Sequence, residues 1–188
     1  RLDMRMNRHA ALSARDVVND YSEEKLADIL YLYGEVQKSR QIAKAIVKAR
    51  GARPINTINE LLAVVEPFVD RRKEKKDLAC IFQALRIEVN GELDALREFL
   101  NQTAAVLRPG GRLAIITYHS LEDRLVKNFM RAGNFTGQVE KDLFGRADVP
   151  FKLLGSKPIV ASDAEVEANP RSRSAKLRVA VRLNQDKK

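Results

Sequence analysis

A single turn constrains this chain more than any other feature: Pro109-Gly110-Gly111 separates a long helical stripe from a short apolar run. Upstream, Phe82, Leu85, Val89, Leu93, Leu96 and Leu100 recur at three- and four-residue spacing, one apolar face of a helix predicted from Leu78 to Leu107. Asn90-Gly91 lies within it. That dipeptide is normally a hairpin signal, but the stripe is unbroken on both sides and predicts continuous helix. Downstream, Arg112 to Tyr118 (RLAIITY) predicts a buried strand, and Ser120 to Arg131, with Leu121, Leu125, Val126 and Phe129 apolar, a further helix. Helix, tight turn, buried strand, helix is the unit of an α/β fold with parallel strands. Two more strand candidates follow, Phe151–Leu154 and Leu177–Leu183. The second alternates cleanly and is expected as an edge or antiparallel partner.

The earlier part of the chain reads differently. Residues 1–12 have no clear period and are expected as an irregular lead-in. Residues 13–76 predict a small all-helical module, and residues 77–188 the α/β part. Ser22 is placed to cap a helix bearing Glu23 and Glu24 in its first turn, with Leu26, Ile29, Leu30 and Tyr33 apolar and Gly34 as the break. A second helix is predicted from Glu35 to Arg50, ended by Gly51, with Ile42, Ala43, Ile46 and Val47 as its stripe. Thr57 and Glu60 form a capping box ahead of Leu61, Leu62, Val64 and Val65, and Pro67 stops that helix. The charge run Arg71-Arg72-Lys73-Glu74-Lys75-Lys76 reads as a solvated linker, with RNA contact the alternative. Ser162 and Glu165 open a short helix that Asn169-Pro170 closes.

Composition narrows the function classes. Net charge is +9, which suits a polyanionic partner, although a protein that simply runs basic has the same balance. One cysteine, Cys80, excludes a disulfide framework and reads as a small core residue. Two histidines, His9 and His119, argue against a His-based metal site, so no metal is expected. No apolar run is long enough for a membrane helix and no signal peptide is recognisable, which fits a cytoplasmic setting. Without an initiator Met, the chain is expected to begin inside a longer protein.

Three segments carry residues suited to chemistry. Tyr118-His119-Ser120-Leu121-Glu122-Asp123-Arg124 lies where the predicted strand ends and a helix begins, the position at which open α/β sheets bind ligands. His119 can orient or deprotonate a substrate there, and Glu122 and Asp123 can bind an amine or a ribose. The same residues also read as a helix start, with Ser120 as N-cap and the two acids complementing the dipole. Asn169 to Arg178 sets alternating Arg, Ser and Lys before a strand. Arg171, Arg173 and Lys176, with Arg124 and Lys127 on the predicted Ser120–Arg131 helix, are the candidate phosphate contacts; a basic surface loop is the alternative. Gln83, Arg86 and Asn90 share one helix face and either point into a cleft or tie elements together. No glycine-rich loop follows a strand: Gly110-Gly111 precedes its strand, the wrong order for a nucleotide cradle. From the residues alone, no reaction follows.

The ordered set of segments does resemble a family. Leu2-Asp3-Met4-Arg5-Met6, Tyr33-Gly34-Glu35, Ile42-Ala43-Lys44-Ala45-Ile46-Val47, Phe82-Gln83-Ala84-Leu85-Arg86-Ile87, Val89-Asn90, Pro109-Gly110-Gly111-Arg112-Leu113, His119-Ser120-Leu121-Glu122-Asp123-Arg124 and Asn169-Pro170-Arg171-Ser172-Arg173-Ser174 are similar, in order, to the ribosomal small-subunit RNA (cytosine-N4) methyltransferases, the MraW family. The resemblance implies the C-terminal part of a Rossmann-like, S-adenosylmethionine-dependent methyltransferase domain with an inserted all-helical domain that helps recognise RNA. It implies methyl transfer to N4 of a cytidine in 16S rRNA, with the 30S subunit as partner, and draws His119, Ser120, Glu122 and Asn90 together as candidate catalytic residues. The family's glycine-rich cofactor loop and ribose-binding acid are expected before Leu2, so no residue of this chain is assigned to the cofactor. Lys76-Asp77-Leu78-Ala79-Cys80 stands where the family usually has H-P-A-T-R, and Tyr118 where it usually has Phe. A sheet without its first strands has an open edge, which predicts self-association, a homodimer included. A non-catalytic basic RNA-binding or ribosome-assembly module is the alternative.

Overall fold

The computed structural model describes residues 1–184 apart from Asp142, Arg146 and Asp148. It divides into two compact units, Arg1–Glu92 and Leu93–Lys188.

The first unit is helical. Helix α1 (Ala14–Asp20) opens on a Ser13/Asp16 capping box, α2 (Glu23–Gly34) on Ser22, and α4 (Ile58–Val65) on the reciprocal Thr57/Glu60 box; α3 (Ser39–Ala52) and α5 (Glu74–Asn90) have no side-chain cap. A 3-10 turn, Glu66–Phe68, puts Pro67 in its first turn. The stripes meet in one core of Val17, Val18, Leu26, Leu30, Ile42, Ile46, Leu61, Ile81 and Leu85. The lead-in has no helix or strand, yet Leu2 is buried in this core and its N–H donates to the Asn56 carbonyl.

Several expectations need correction here. The predicted Leu78–Leu107 helix is two helices, because Gly91 takes the left-handed conformation (φ +58°) and closes α5 before α6 (Glu92–Val106) begins. The charge run is solvated throughout but a linker only in its first half: Arg71–Lys73 form a turn, and Glu74 onward is the first turn of α5, whose Ile81, Ala84, Leu85 and Val89 pack in the helical core. The compact helical unit runs to Glu92. Gly51 lies inside the last turn of α3 and does not end it. At the end of α2 the left-handed residue is Glu35 (φ 52°), not Gly34. Gly34 is needed for space, since a Cβ there would stand 2.7 Å from the Cys80 carbonyl oxygen on α5.

The second unit is mixed. Its sheet comprises β1 (Arg112–Thr117), β2 (Phe151–Leu153), β3 (Ile159–Val160) and β4 (Lys176–Arg182), in the order β1-β4-β2, with β3 also on β4. Every ladder among these strands is antiparallel, where the helix–turn–strand–helix reading had suggested parallel pairing. The reason is that β4 runs between β1 and β2, so those two share a direction without touching. Helix α7 (Ser120–Ala132) follows β1, and α8 (Asp163–Ala168), capped by Ser162, precedes a 3-10 turn at Pro170–Ser174. Leu100 of α6, Leu113 of β1, Val126, Phe129 and Met130 of α7, Phe151 of β2 and Ala180 of β4 form the core. This covers one sheet face. Strand β1 is accordingly half-buried rather than buried: Leu113 and Thr117 are inside, while Arg112, Ala114 and Ile116 are exposed.

Candidate functional site

The junction of β1 and α7 is built around a cap. The N-cap of α7 is His119, one residue earlier than the Ser120 expected from sequence. Its Nδ1 accepts from the Glu122 N–H (3.5 Å), while Glu122 Oε2 accepts from the N–H groups of Tyr118 (2.9 Å) and His119 (3.4 Å). Imidazole can close this box because a neutral ring offers one acceptor nitrogen; with Nδ1 accepting, the proton is assigned to Nε2. That Nε2 is buried and has no hydrogen-bond partner among the described residues. It lies 3.4 Å from Glu122 Oε1, so the attraction is electrostatic without the alignment of a hydrogen bond. Burial pushes the Glu122 carboxyl up, but His119 and the Tyr118 N–H outweigh it and hold the group below the usual carboxylate range. Ser120 is exposed in the first turn.

Asp123, the next acid, faces inward. The Arg178 guanidinium grips it with two hydrogen bonds, Nε to Oδ1 at 2.6 Å and Nη2 to Oδ2 at 3.0 Å, and Lys176 Nζ stands 3.6 Å away. Arg178 holds the Asp123 carboxyl below its ordinary range against the opposing effect of burial. Asp123 is therefore committed to tying α7 to β4. Arg178, placed by sequence at the end of a basic loop, is a buried strut. The available signal was an arginine within the apolar alternation of Leu177–Leu183.

The basic loop stands at the same end of the sheet, since Lys176 pairs with Thr117 in the β1–β4 ladder. Buried Ser172 donates through Oγ to the Asn169 carbonyl (2.8 Å), and Asn169 Oδ1 accepts the Arg171 N–H, which leaves Arg171 and Arg173 exposed. Arg124 is exposed on α7 and Lys127 is half-buried. The second unit thus places His119, Ser120 and Glu122 at the end of β1 with Lys176 beside it in the ladder, while Arg124 and Lys127 follow along α7 and Arg171 and Arg173 stand in the turn before β4.

Asn90 belongs to the first unit, and its amide is fully engaged. Oδ1 accepts the Met6 N–H (2.8 Å), and Nδ2 donates to the carbonyls of Met4 (2.9 Å) and Arg86 (2.8 Å). It clamps the lead-in where Met4 takes a positive φ of 63°. Gln83 donates to the Tyr33 carbonyl (2.9 Å), and Arg86 forms a two-pronged pair with Glu92. All three residues of this helix face tie elements together.

The Gly110-Gly111 turn is no nucleotide cradle. Gly110 N–H donates to the Arg182 carbonyl, the Arg182 N–H to Gly111, and the Gly111 N–H to Arg108. The turn closes the entry to β1 on the end of β4. Among the described residues, no helix is long and apolar enough to cross a membrane.

Comparison with known proteins adds a family. The profile of the MraW methylase family matches residues 1–183. Proteins named ribosomal RNA small subunit methyltransferase H are similar: that of Phocaeicola vulgatus is 59% identical over 180 residues, covering 96% of this chain and 59% of the relative. The Parabacteroides distasonis protein is 59% identical over 182 residues (97% and 60%), and that of Cytophaga hutchinsonii 53% over 181 residues (96% and 60%). The chain thus spans about three fifths of the length of these relatives.

Proposed function

Because the chain belongs to the MraW methylase family, we propose that it is part of an S-adenosylmethionine-dependent methyltransferase acting on N4 of a cytidine in bacterial 16S rRNA. The observation that carries this reading is a family match running almost the whole chain, to residue 183. The cation-rich rim around the end of β1 supports an RNA substrate.

In this reading the sheet is the later edge of a Rossmann-like domain. Among the described residues β1 pairs only with β4, so its second edge is open. Its outward face, with Ala114 and Ile116 (55% exposed), is uncovered. Parallel strands and helices from the remaining length of such proteins would satisfy both. Residues 13–76 are the insert, and the methyltransferase chain resumes at residue 77 even though α5 packs with the helices. Without that covering the chain is expected to self-associate, for example as a homodimer. The setting is the cytoplasm and the partner the 30S subunit.

S-adenosylmethionine supplies an electrophilic methyl group, and its glycine-rich loop is assigned before Arg1, to no residue described above. The acceptor amine of cytosine is a weak nucleophile, its lone pair delocalised into the ring, so it must be oriented and must lose a proton. It is also base-paired in duplex RNA, so the base must be unpaired or flipped out. With Nδ1 occupied by the cap and Nε2 buried beside Glu122, His119 is proposed to shape the end of β1 against which the base is oriented. Ionised Glu122 keeps that ring in place, and exposed Ser120 completes the group. Asn90, its amide committed to main chain, positions the lead-in. Arg171, Arg173, Lys176, Arg124 and Lys127 hold phosphates.

The test is to incubate the intact protein with labelled S-adenosylmethionine and 30S particles and to map the label. N4-methylcytidine in 16S rRNA is the expected product; label on protein, lipid or another RNA position refutes the assignment.

A further inference from the structure

Helix α3 carries a charge pattern that its own stability disfavours. From Val36 to Asn59 the sequence contains no Asp or Glu, while Lys38, Arg40, Lys44, Lys48, Arg50 and Arg53 fall within it. Two of these cations are used internally. Arg50 donates to the carbonyls of Val18 and Tyr21, and Arg53 pairs with Glu60. Lys38, Arg40, Lys44 and Lys48 are exposed, and their side chains make neither a hydrogen bond nor an ion pair among the described residues. Arg40, Lys44 and Lys48 follow one another at four-residue spacing, so they line one face, opposite the buried Ile42, Ala43 and Ile46.

Two penalties are built into this arrangement. Like charges at i,i+4 repel along a helix, and cations in the first turn oppose the helix dipole. No acidic residue stands in that first turn to offset them. Neighbouring α2 shows the opposite habit, with exposed Glu23, Glu24 and Asp28 on its surface. A face kept merely soluble would mix its signs; this one is sorted by sign, at a cost to the helix.

We infer that the Arg40–Lys44–Lys48 face of α3 docks the phosphate backbone of the RNA substrate, in addition to the cations near the end of β1. The inference rests on the RNA reading above and adds the surface. Charge complementarity selects the occupant: a row of unpaired cations extending about 12 Å along the helix, at 1.5 Å per residue, fits consecutive phosphates. Such contacts position RNA without reading its bases. The face therefore contributes affinity and salt dependence and leaves the choice of cytidine to other residues.

The experiment measures Kd of the intact protein for a labelled single-stranded 16S rRNA fragment across a salt series. It compares wild type, R40A/K44A/K48A, and a charge-matched control on the second unit, K141A/K152A/K157A. Each phosphate contact to a single strand adds about 0.7 to the slope of log K against log salt. The α3 variant is expected to lose about 2 from that slope, three such contacts, with the control near wild type and circular dichroism unchanged. A wild-type slope in the α3 variant overturns the inference and leaves the RNA reading standing, as does an equal loss in the control, which would mark bulk charge. Absence of salt-dependent binding by wild type overturns the RNA reading and this inference with it.

Discussion

Replacing Asp123 with alanine strands a charge inside the second unit. Arg178 has only 5% of its side chain exposed, and its Nη1 is already buried without a partner among the described residues. The two hydrogen bonds from Nε and Nη2 to Asp123 are what compensate the guanidinium, since Lys176 is a cation too. Breaking a buried pair from one side costs about 3–5 kcal/mol, because the remaining ion keeps its desolvation penalty. Against a domain stability of about 5–15 kcal/mol this is a large share. The pair Arg97–Asp94, with side chains 40% and 78% exposed, provides the contrast. Asp94→Ala should cost about 1 kcal/mol or less, as exposed ion pairs do. The assay is native-state hydrogen exchange at the β1 and β4 amides, which reports the opening free energy of the sheet itself. The double replacement Asp123→Leu with Arg178→Met removes both charges and should recover most of the loss. A single-variant cost equal to that of Asp94→Ala, or a double variant no better than Asp123→Ala, refutes the reasoning. The pH dependence follows from the same pair. Asp123 has a depressed folded value, so its contribution is present above the unfolded carboxyl value near about 4 and is lost as pH falls through the lower folded value.

Gly34→Ala should destabilise the helical unit by about 1–3 kcal/mol through overpacking. The added carbon meets the Cys80 carbonyl at 2.7 Å and Val36 Cγ2 at 2.9 Å, and this outweighs the gain in helix propensity. Urea unfolding followed by circular dichroism checks it, and unchanged stability would mean that α2 and α5 separate freely. Arg171→Ala with Arg173→Ala should weaken binding of the rRNA fragment and reduce its salt slope without altering stability, because both side chains are exposed while Ser172 anchors the turn. An unchanged slope would make that loop structural.

Features encoded within a few residues of one another were legible in the sequence. The Thr57/Glu60 box, the Ser22 and Ser162 caps, the β4 strand and the Pro109-Gly110-Gly111 turn before β1 all stand where the letters put them. The strand end meeting a helix start at Tyr118–Arg124 was legible as well. What the letters lacked was the partner. Periodicity carried one helix through Asn90-Gly91, because nothing nearby shows that the Asn90 amide is claimed by Met4 and Met6. Gly34 looked like a helix breaker, and only α5 lying against it shows that it makes room. Ser120 is the better cap on paper, yet the helix starts one residue earlier and His119 takes that place. Arg178 read as surface charge until β4, placed beside β1, turned it under α7 onto Asp123. Local hydrogen bonding and hydrophobic period determine which segments are helix or strand. Which acids and cations face solvent, and which are sealed against each other, is decided only when distant segments pack, because burial is a property of the neighbours and not of the residue.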